Sequence, residues 1–204
     1  MKIICIAGHC CSGKTTAIGI MAKHLPNSEI ARSDNFLAAA LIEHRKEFEE
    51  IYKIPLDTEN PYESYRRALS DDSPESVKTY IKFENILSPF LENKVEKAVE
   101  EKQQGKDFII AEYVMLPVFK IWEYADYRIM ITSNKELRAI KWRERAIIKG
   151  SYNKNDRHHY VRENALAGII ENAGNIDFLV ENKYDENFER DLIHLCQKIV
   201  SDKN

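Results

Sequence analysis

The chain lacks any apolar run approaching the ~20 residues that a membrane-spanning helix needs. It also lacks an excess of basic charge: 30 Lys and Arg stand against 33 Asp and Glu, a formal charge of −3. A general nucleic-acid binder needs a basic surplus or a basic stripe, so that class is disfavoured, and so is a membrane-spanning one. Cysteine is scarce, with Cys5, Cys10, Cys11 and Cys196 making up the four. No C-x-x-C pair occurs, so no zinc or redox motif of that kind is present, and neighbouring Cys10 and Cys11 cannot easily bridge each other. The apolar N-terminal run ends at Ala7, too short for the apolar stretch of a signal peptide. The expected location is the cytoplasm, a reducing compartment that suits free thiols. Internal repeats and low-complexity tracts are absent as well.

What is present is a globular composition, 44% apolar and 31% charged. A length of 204 residues gives room for one large domain or two small ones, and for a full core without staples. Apolar β-rich runs predict strands at Lys2–Ala7, Glu29–Arg32, Asp107–Ala111, Tyr127–Thr132 and Asp177–Val180. Helical spacing predicts helices at Lys14–Leu25, Phe36–Tyr52, Ser64–Leu69, Pro74–Lys102 (bent near Pro89), Lys135–Lys149, Asp156–Asn172 and Glu186–Val200. Pro55–Glu63 reads as a turn-rich connector and Gly150–Asn155 as a polar, mobile stretch. Strands alternating with helices imply a parallel sheet between two helical layers, an α/β/α sandwich with five strands. Ligands bind such sheets at the carboxyl ends of the strands.

The sharpest motif is Gly8-His9-Cys10-Cys11-Ser12-Gly13-Lys14-Thr15, a full match to G-x-x-x-x-G-K-[ST], placed between a strand and a helix as that motif requires. Gly8 and Gly13 let the backbone turn without a Cβ clash. The loop amides, with Cys11 and Ser12 among them, form a nest for phosphate oxygens at the positive end of the next helix. Lys14 supplies a compact charge for β- and γ-phosphates, Thr15 a hydroxyl for Mg²⁺, and Thr16 a contact near the α-phosphate. Cys10 and Cys11 fill variable loop positions. A redox role stands beside that reading, because a helix N-terminus lowers thiol pKa values.

Asp34 and Glu112 follow the second and third strands and so fall on the rim that carries the loop. One carboxylate there can accept the proton of an attacking hydroxyl and another can serve the metal shell; Asp34 is assigned the first task and Glu112 the second. The alternatives are that Asp34 caps the following helix and that Glu112 is structural. Arg138, Lys141, Arg143 and Arg145 lie on one predicted helix, with Arg157 and Arg162 beyond the polar stretch. Arginines on a closing lid can neutralise a migrating phosphoryl group, and as a set beside a phosphate loop these favour a lid. A charged helix can equally be a solvated face.

With these pieces in place the chain resembles the dephospho-coenzyme A kinase family, over most of its length but loosely between motifs. The phosphate loop corresponds in position, and Asp34 falls where that family has its catalytic carboxylate. Tyr65-Arg66-Arg67-Ala68-Leu69 is similar to its Asp-Arg-x-x-Leu segment, which makes Arg66 and Arg67 candidates for the acceptor's phosphate. Ile86-Leu87-Ser88-Pro89-Phe90-Leu91 resembles its Leu-x-His-Pro-x-Ile helix, with Ser88 where His is usual. Glu112-Tyr113-Val114-Met115-Leu116-Pro117 sits where the family has an acid followed by Pro-Leu-Leu-Phe. Val180-Glu181-Asn182 is similar to its Val-Ile-Asp-Asn strand end, which places Asn182 near the adenine of ATP.

The resemblance implies one P-loop kinase domain over 1–204, with a helical substrate region at about 36–102 and a lid at about 143–162. Ser133–Glu144 resembles the family's lid-entry helix, which makes Arg143 the leading lid arginine, with Arg145 or Arg162 assisting. It implies ATP and Mg²⁺ as cofactors and transfer to the ribose 3′-hydroxyl of dephospho-CoA, a step of coenzyme A biosynthesis. It also implies a nucleotide-like small-molecule partner and a monomer or weak homo-oligomer. A kinase acting on another nucleoside or nucleotide is the first alternative, and a nucleotide-binding regulatory ATPase the second. A GTPase-type switch is disfavoured on the expectation that Glu181–Asp185 stands one residue out of register with the guanine-reading N-K-x-D.

Overall fold

The computed structural model describes residues 1–32, 34–69, 73–148 and 157–202, apart from the side chains at 32, 34 and 35. The first strand, β1 (Lys2–Ala7), leads through the phosphate loop into α1 (Lys14–His24), and β2 (Ser28–Arg32) follows. Between β2 and the next strand lie α2 (Asp34–Glu43), α3 (Arg45–Tyr52), α4 (Pro61–Ala68) and the long α5 (Pro74–Lys102). Then come β3 (Phe108–Glu112), a short 3-10 turn at Leu116–Val118, α6 (Lys120–Tyr124) and β4 (Tyr127–Thr132). The chain closes with α7 (Lys135–Ile148), α8 (His158–Glu171), β5 (Phe178–Glu181) and α9 (Glu186–Ser201).

The five strands form one sheet in the order β2-β3-β1-β4-β5, and every pairing is parallel. Side chains alternate across a strand, so each strand feeds two cores. Cys5, Ala7, Ile109, Ala111 and Met130 face a layer that includes Leu37, Phe48, Phe83, Leu87 and Val161 from α2, α3, α5 and α8. Ile4, Ile6, Phe108, Ile110, Ile129 and Ile131 face Ala17, Ile18 and Met21 of α1 and Phe188, Leu192 and Ile199 of α9. Buried on both faces, the inner strands carry the near-continuous apolar runs by which they are recognised in the sequence. No helix among the described residues is long and apolar enough to cross a membrane.

The connection from β1 reaches over β3 to β2, and the connection from β3 reaches over β1 to β4. The connections from β1 and β3 therefore leave toward opposite edges of the sheet, and the crevice above the carboxyl ends of these two strands is where a sheet of this kind binds ligands. In register, Glu112 lies opposite both Ile6 of β1 and Arg32 of β2. This brings the end of β3, the start of the phosphate loop and the start of α2 to one rim.

Two expectations are revised. The single helix over Phe36–Tyr52 is two: His44 leaves helical geometry (φ −99°, ψ 33°) and becomes the N-cap position of α3. That break turns Phe48 into a ring cluster with Tyr52, Tyr65 and Phe83. The turn at Leu116–Val118 and α6 appear where no element is expected, because they are too short for a hydrophobic period to show. The helix through Pro89 is continuous from Pro74 to Lys102, opened by Ser73, whose hydroxyl accepts from the Ser76 amide at 3.2 Å.

Candidate active site

The phosphate loop has the backbone its sequence demands. Gly8 (φ 147°) and Gly13 (φ 104°) occupy conformations that side chains rarely adopt. A Cβ at Gly8 would run into the Ile131 carbonyl, and one at Gly13 into the Asn182 side-chain amide. Cys11 is left-handed as well (φ 59°). No side chain among the described residues caps α1, so the amides of its first turn remain directed at the loop. Lys14 is buried and donates from Nζ to the carbonyl oxygens of Gly8 and His9, both at 2.9 Å. Its third N–H remains for a phosphate oxygen. Thr15 and Thr16 are exposed on the cleft floor. A cradle without Cβ atoms, a fixed ammonium and an exposed threonine hydroxyl together fit a Mg²⁺-nucleoside triphosphate.

The loop is held from behind by the segment after β5. Asn182, buried, donates from Nδ2 to the Ser12 carbonyl at 2.9 Å, and its Oδ1 accepts from the Tyr184 amide at 2.7 Å. The Tyr184 hydroxyl donates to the Cys11 carbonyl. The family resemblance implies a place for Asn182 near the adenine of ATP; in the structure its side-chain amide holds the loop, and Asn182 is not among the residues that line the cleft. The run Asn182-Lys183-Tyr184-Asp185 matches N-K-x-D residue for residue, which corrects the expectation of a one-residue offset. Asp185 nevertheless caps α9, with Oδ1 accepting from the Asn187 amide at 3.1 Å and Oδ2 from Asn187 Nδ2 at 3.0 Å. It lines a separate cavity on the β5–α9 edge, not the cleft above the loop.

That cleft holds about 520 Å³. Its walls carry Lys14, Arg66, Lys141, Arg145 and Arg162, with Glu112 as the acid among the described lining residues. Glu112 is buried at the end of β3. Such a balance of charge suits an anionic ligand. Tyr62, Tyr113, Trp142 and Tyr184 supply aromatic surface. Arg66 is half-buried and paired with Glu63 at 3.0 Å, whereas Arg67 is exposed, donates to Ser64 Oγ at 3.4 Å and is not among the described residues that line the cleft.

Helical geometry sorts the arginines of α7. At about 100° per residue, Arg138, Lys141, Trp142 and Arg145 share one face and Arg143 points away from it. Accordingly Lys141, Trp142 and Arg145 line the cleft, while Arg143 is exposed and does not. The structure therefore does not bring the leading lid candidate to the phosphate loop; Arg145 and Arg162 are brought there instead. The polar stretch Gly150–Asn155 and the Asp34 side chain lie outside the described residues, although α2 begins at Asp34 on the shared rim.

Below the cleft runs a buried polar cluster of which the sequence bears no signal. Arg138 of α7 pairs with Glu163 of α8 and donates to the Ser133 carbonyl, and His9 Nδ1 of the loop lies 3.4 Å from Glu163 Oε1. All of these residues are buried. Burial pushes the His9 pKa down against the opposing pull of Glu163. His159 stacks on Trp142 at 5.3 Å and is also held down by burial. Burial raises the Cys11 thiol pKa, against the lowering pull of Arg145, Lys14 and Arg162.

No family model and no curated protein matches the sequence. Solved structures match it in fold. TT1252 from Thermus thermophilus aligns with a TM-score of 0.64 at 15% identity, covering 100% of this chain and 98% of that one. A shikimate kinase from Bacteroides thetaiotaomicron aligns at 0.53 and 12% identity, covering 98% of each chain. A dephospho-CoA kinase from Campylobacter jejuni aligns at 0.49 and 18%, covering 98% of this chain and 96% of that one. The fold is that of the P-loop kinases: a five-stranded all-parallel sheet flanked by helices, with the phosphate loop after its central strand.

Proposed function

We propose that the chain is an ATP- and Mg²⁺-dependent kinase that transfers the γ-phosphoryl group to a hydroxyl of a small, anionic, nucleotide-like acceptor. The ribose 3′-hydroxyl of dephospho-CoA is the first candidate, in the cytoplasm. One observation carries this reading: the loop with Lys14 and a wall bearing Arg66, Arg145 and Arg162 line the same cleft. Two anions, a triphosphate and an acceptor, can be held face to face there.

The roles follow from placement. The loop amides and Lys14 hold the β- and γ-phosphates. Mg²⁺, when bound through the Thr15 hydroxyl, supplies charge neutralisation on the phosphate oxygens. Asp34 accepts the proton of the acceptor hydroxyl as its oxygen bonds to the γ-phosphorus. The bond from that phosphorus to the bridging oxygen breaks, and ADP leaves. Arg145 and Arg162 neutralise the equatorial oxygens, and Arg66 holds the acceptor's anionic group. Such catalysis is positioning and charge stabilisation, with little covalent chemistry asked of the protein. The region at 36–102 serves the acceptor and the segment at about 143–162 closes over it.

The test is a coupled ADP assay with a panel of acceptors, dephospho-CoA among them, and with ATP and GTP as donors. Acceptor-dependent ADP release supports the kinase reading. Turnover of a nucleoside or nucleotide without turnover of dephospho-CoA would move the acceptor. ATP hydrolysis indifferent to every acceptor would replace the kinase by a regulatory ATPase.

A further inference from the structure

Two rungs join α7 to α8, and the transfer scheme uses neither. Arg138 and Trp142 stand about one turn apart on α7, as His159 and Glu163 do on α8. Arg138 pairs with Glu163, and Trp142 stacks on His159 with ring planes 23° apart. The earlier residue of one helix meets the later residue of the other, so the helices run antiparallel along this seam. Ser133, just after β4, anchors the first rung, because its carbonyl accepts from Arg138 Nη1. His9 of the phosphate loop meets the same rung, with Nδ1 3.4 Å from Glu163 Oε1.

That first rung is buried, with Arg138 6% exposed and Glu163 4%. An apolar pair of similar volume could fill the space at equal or greater stability, since both ions lose their hydration there. What the ion pair adds is direction. Both carboxylate oxygens of Glu163 accept from Arg138, Oε1 from Nη2 and Oε2 from Nε at 3.4 Å. Such a fork fixes two planar groups relative to each other, which apolar packing does not.

Both cleft arginines of these helices hang from the seam. Arg145 lies two turns, about 10 Å, beyond Arg138 along α7. Arg162 directly precedes Glu163, so its side chain leaves α8 about 100° round the helix. There it lines the cleft, with Nη1 3.5 Å from the Tyr62 hydroxyl. Arg145 lines the same cleft. Turning or sliding either helix would displace one arginine relative to the other and to Lys14.

We propose that Glu163 is a positioning residue: by joining Arg138 to His9 it fixes α7 and α8 on the phosphate loop, and so sets Arg145 and Arg162 on the path of the phosphoryl group. This rests on the kinase reading and adds a residue that is not among those lining the cleft. An orienting group behind a ligand-binding group is how the geometry of an active site is fixed to within a fraction of an ångström.

The experiment measures phosphoryl transfer and Trp142 fluorescence in Glu163→Gln, which keeps the shape of the side chain but removes its charge. The substitution is expected to lower kcat about tenfold or more. The nucleotide KM should stay within about threefold, because Lys14 and Asn182 still hold the loop. Trp142 should report the loosened seam by a red shift of its emission, read in a Trp122→Phe background where it is the sole indole. Combined with Arg145→Ala, the loss is expected to fall short of the product of the single losses. A role in stability alone is separated by Arg138→Met with Glu163→Leu, which removes both charges together. That protein is expected to melt within a few degrees of the unaltered one and still to turn over about tenfold more slowly. It also carries the test should Glu163→Gln not fold. Full kcat in either variant, an unmoved Trp142 emission, or losses that multiply with Arg145→Ala would overturn the proposal and leave the kinase reading standing. Absence of turnover in the unaltered protein with every acceptor would sink both readings together.

Discussion

Asn182 reaches back across 170 residues to donate its side-chain amide to the Ser12 carbonyl, at 2.9 Å. The segment just after the last strand of the sheet thus holds the loop that follows the first. Removing the amide leaves a buried carbonyl without that donor, a loss of about 1–3 kcal/mol. Asn182→Ala should lower the melting temperature and raise the nucleotide KM while leaving the acceptor KM near its original value. Thermal unfolding with and without nucleotide, beside steady-state kinetics, checks this.

Lys14 is anchored to two loop carbonyls and contributes its charge to the cleft. Lys14→Ala should abolish transfer while the far-ultraviolet circular dichroism spectrum stays that of the folded chain. Retained turnover would refute the assignment of the loop.

The two arginines of α7 at 143 and 145 should behave oppositely. Arg143→Ala should leave kcat within about twofold, whereas Arg145→Ala should lower it by about tenfold or more, as expected for charge stabilisation at a transferring phosphoryl group. Kinetics of both variants under one set of conditions decides between the faces of the helix.

Burial lowers the imidazole pKa of His9, His158 and His159 from the ordinary 6.5. Each binds its proton less readily in the folded chain than in the unfolded one. Their contribution to stability is therefore complete above about pH 6.5 and is lost as the pH falls below that value. Glu84, raised by burial, contributes with the opposite sign above the ordinary carboxylate range. A single substitution separates the two. Melting temperatures at about pH 7.5 and about pH 5.5 should differ less in His158→Gln than in the unaltered protein. An equal difference in both would mean that His158 is not held neutral.

Much of this architecture is legible in the residues. The strands at Lys2–Ala7 and Tyr127–Thr132 have the same limits in sequence and structure, because their buried apolar runs end at Gly8 and Ser133. The phosphate loop is legible because its chemistry requires particular residues at fixed spacing. The direction of Arg143 is legible in principle too, since a 3.6-residue period separates it from Arg138, Lys141 and Arg145; charge alone does not reveal it. The N-K-x-D run can be read by eye, but that its Asn holds Ser12 and its Asp caps α9 cannot. The meeting of His9, Arg138 and Glu163 belongs to tertiary packing, which joins elements far apart along the chain. No local pattern carries such a pairing.

Titration calorimetry with Mg²⁺ and ATP, on the unaltered chain and on Lys14→Ala, tests the central claim most directly. A single saturable binding event in the first, weakened at least about tenfold in the second, is the expected result, a gap of about 1.4 kcal/mol or more. No heat from ATP or GTP at saturating concentration, on correctly folded protein, would contradict it.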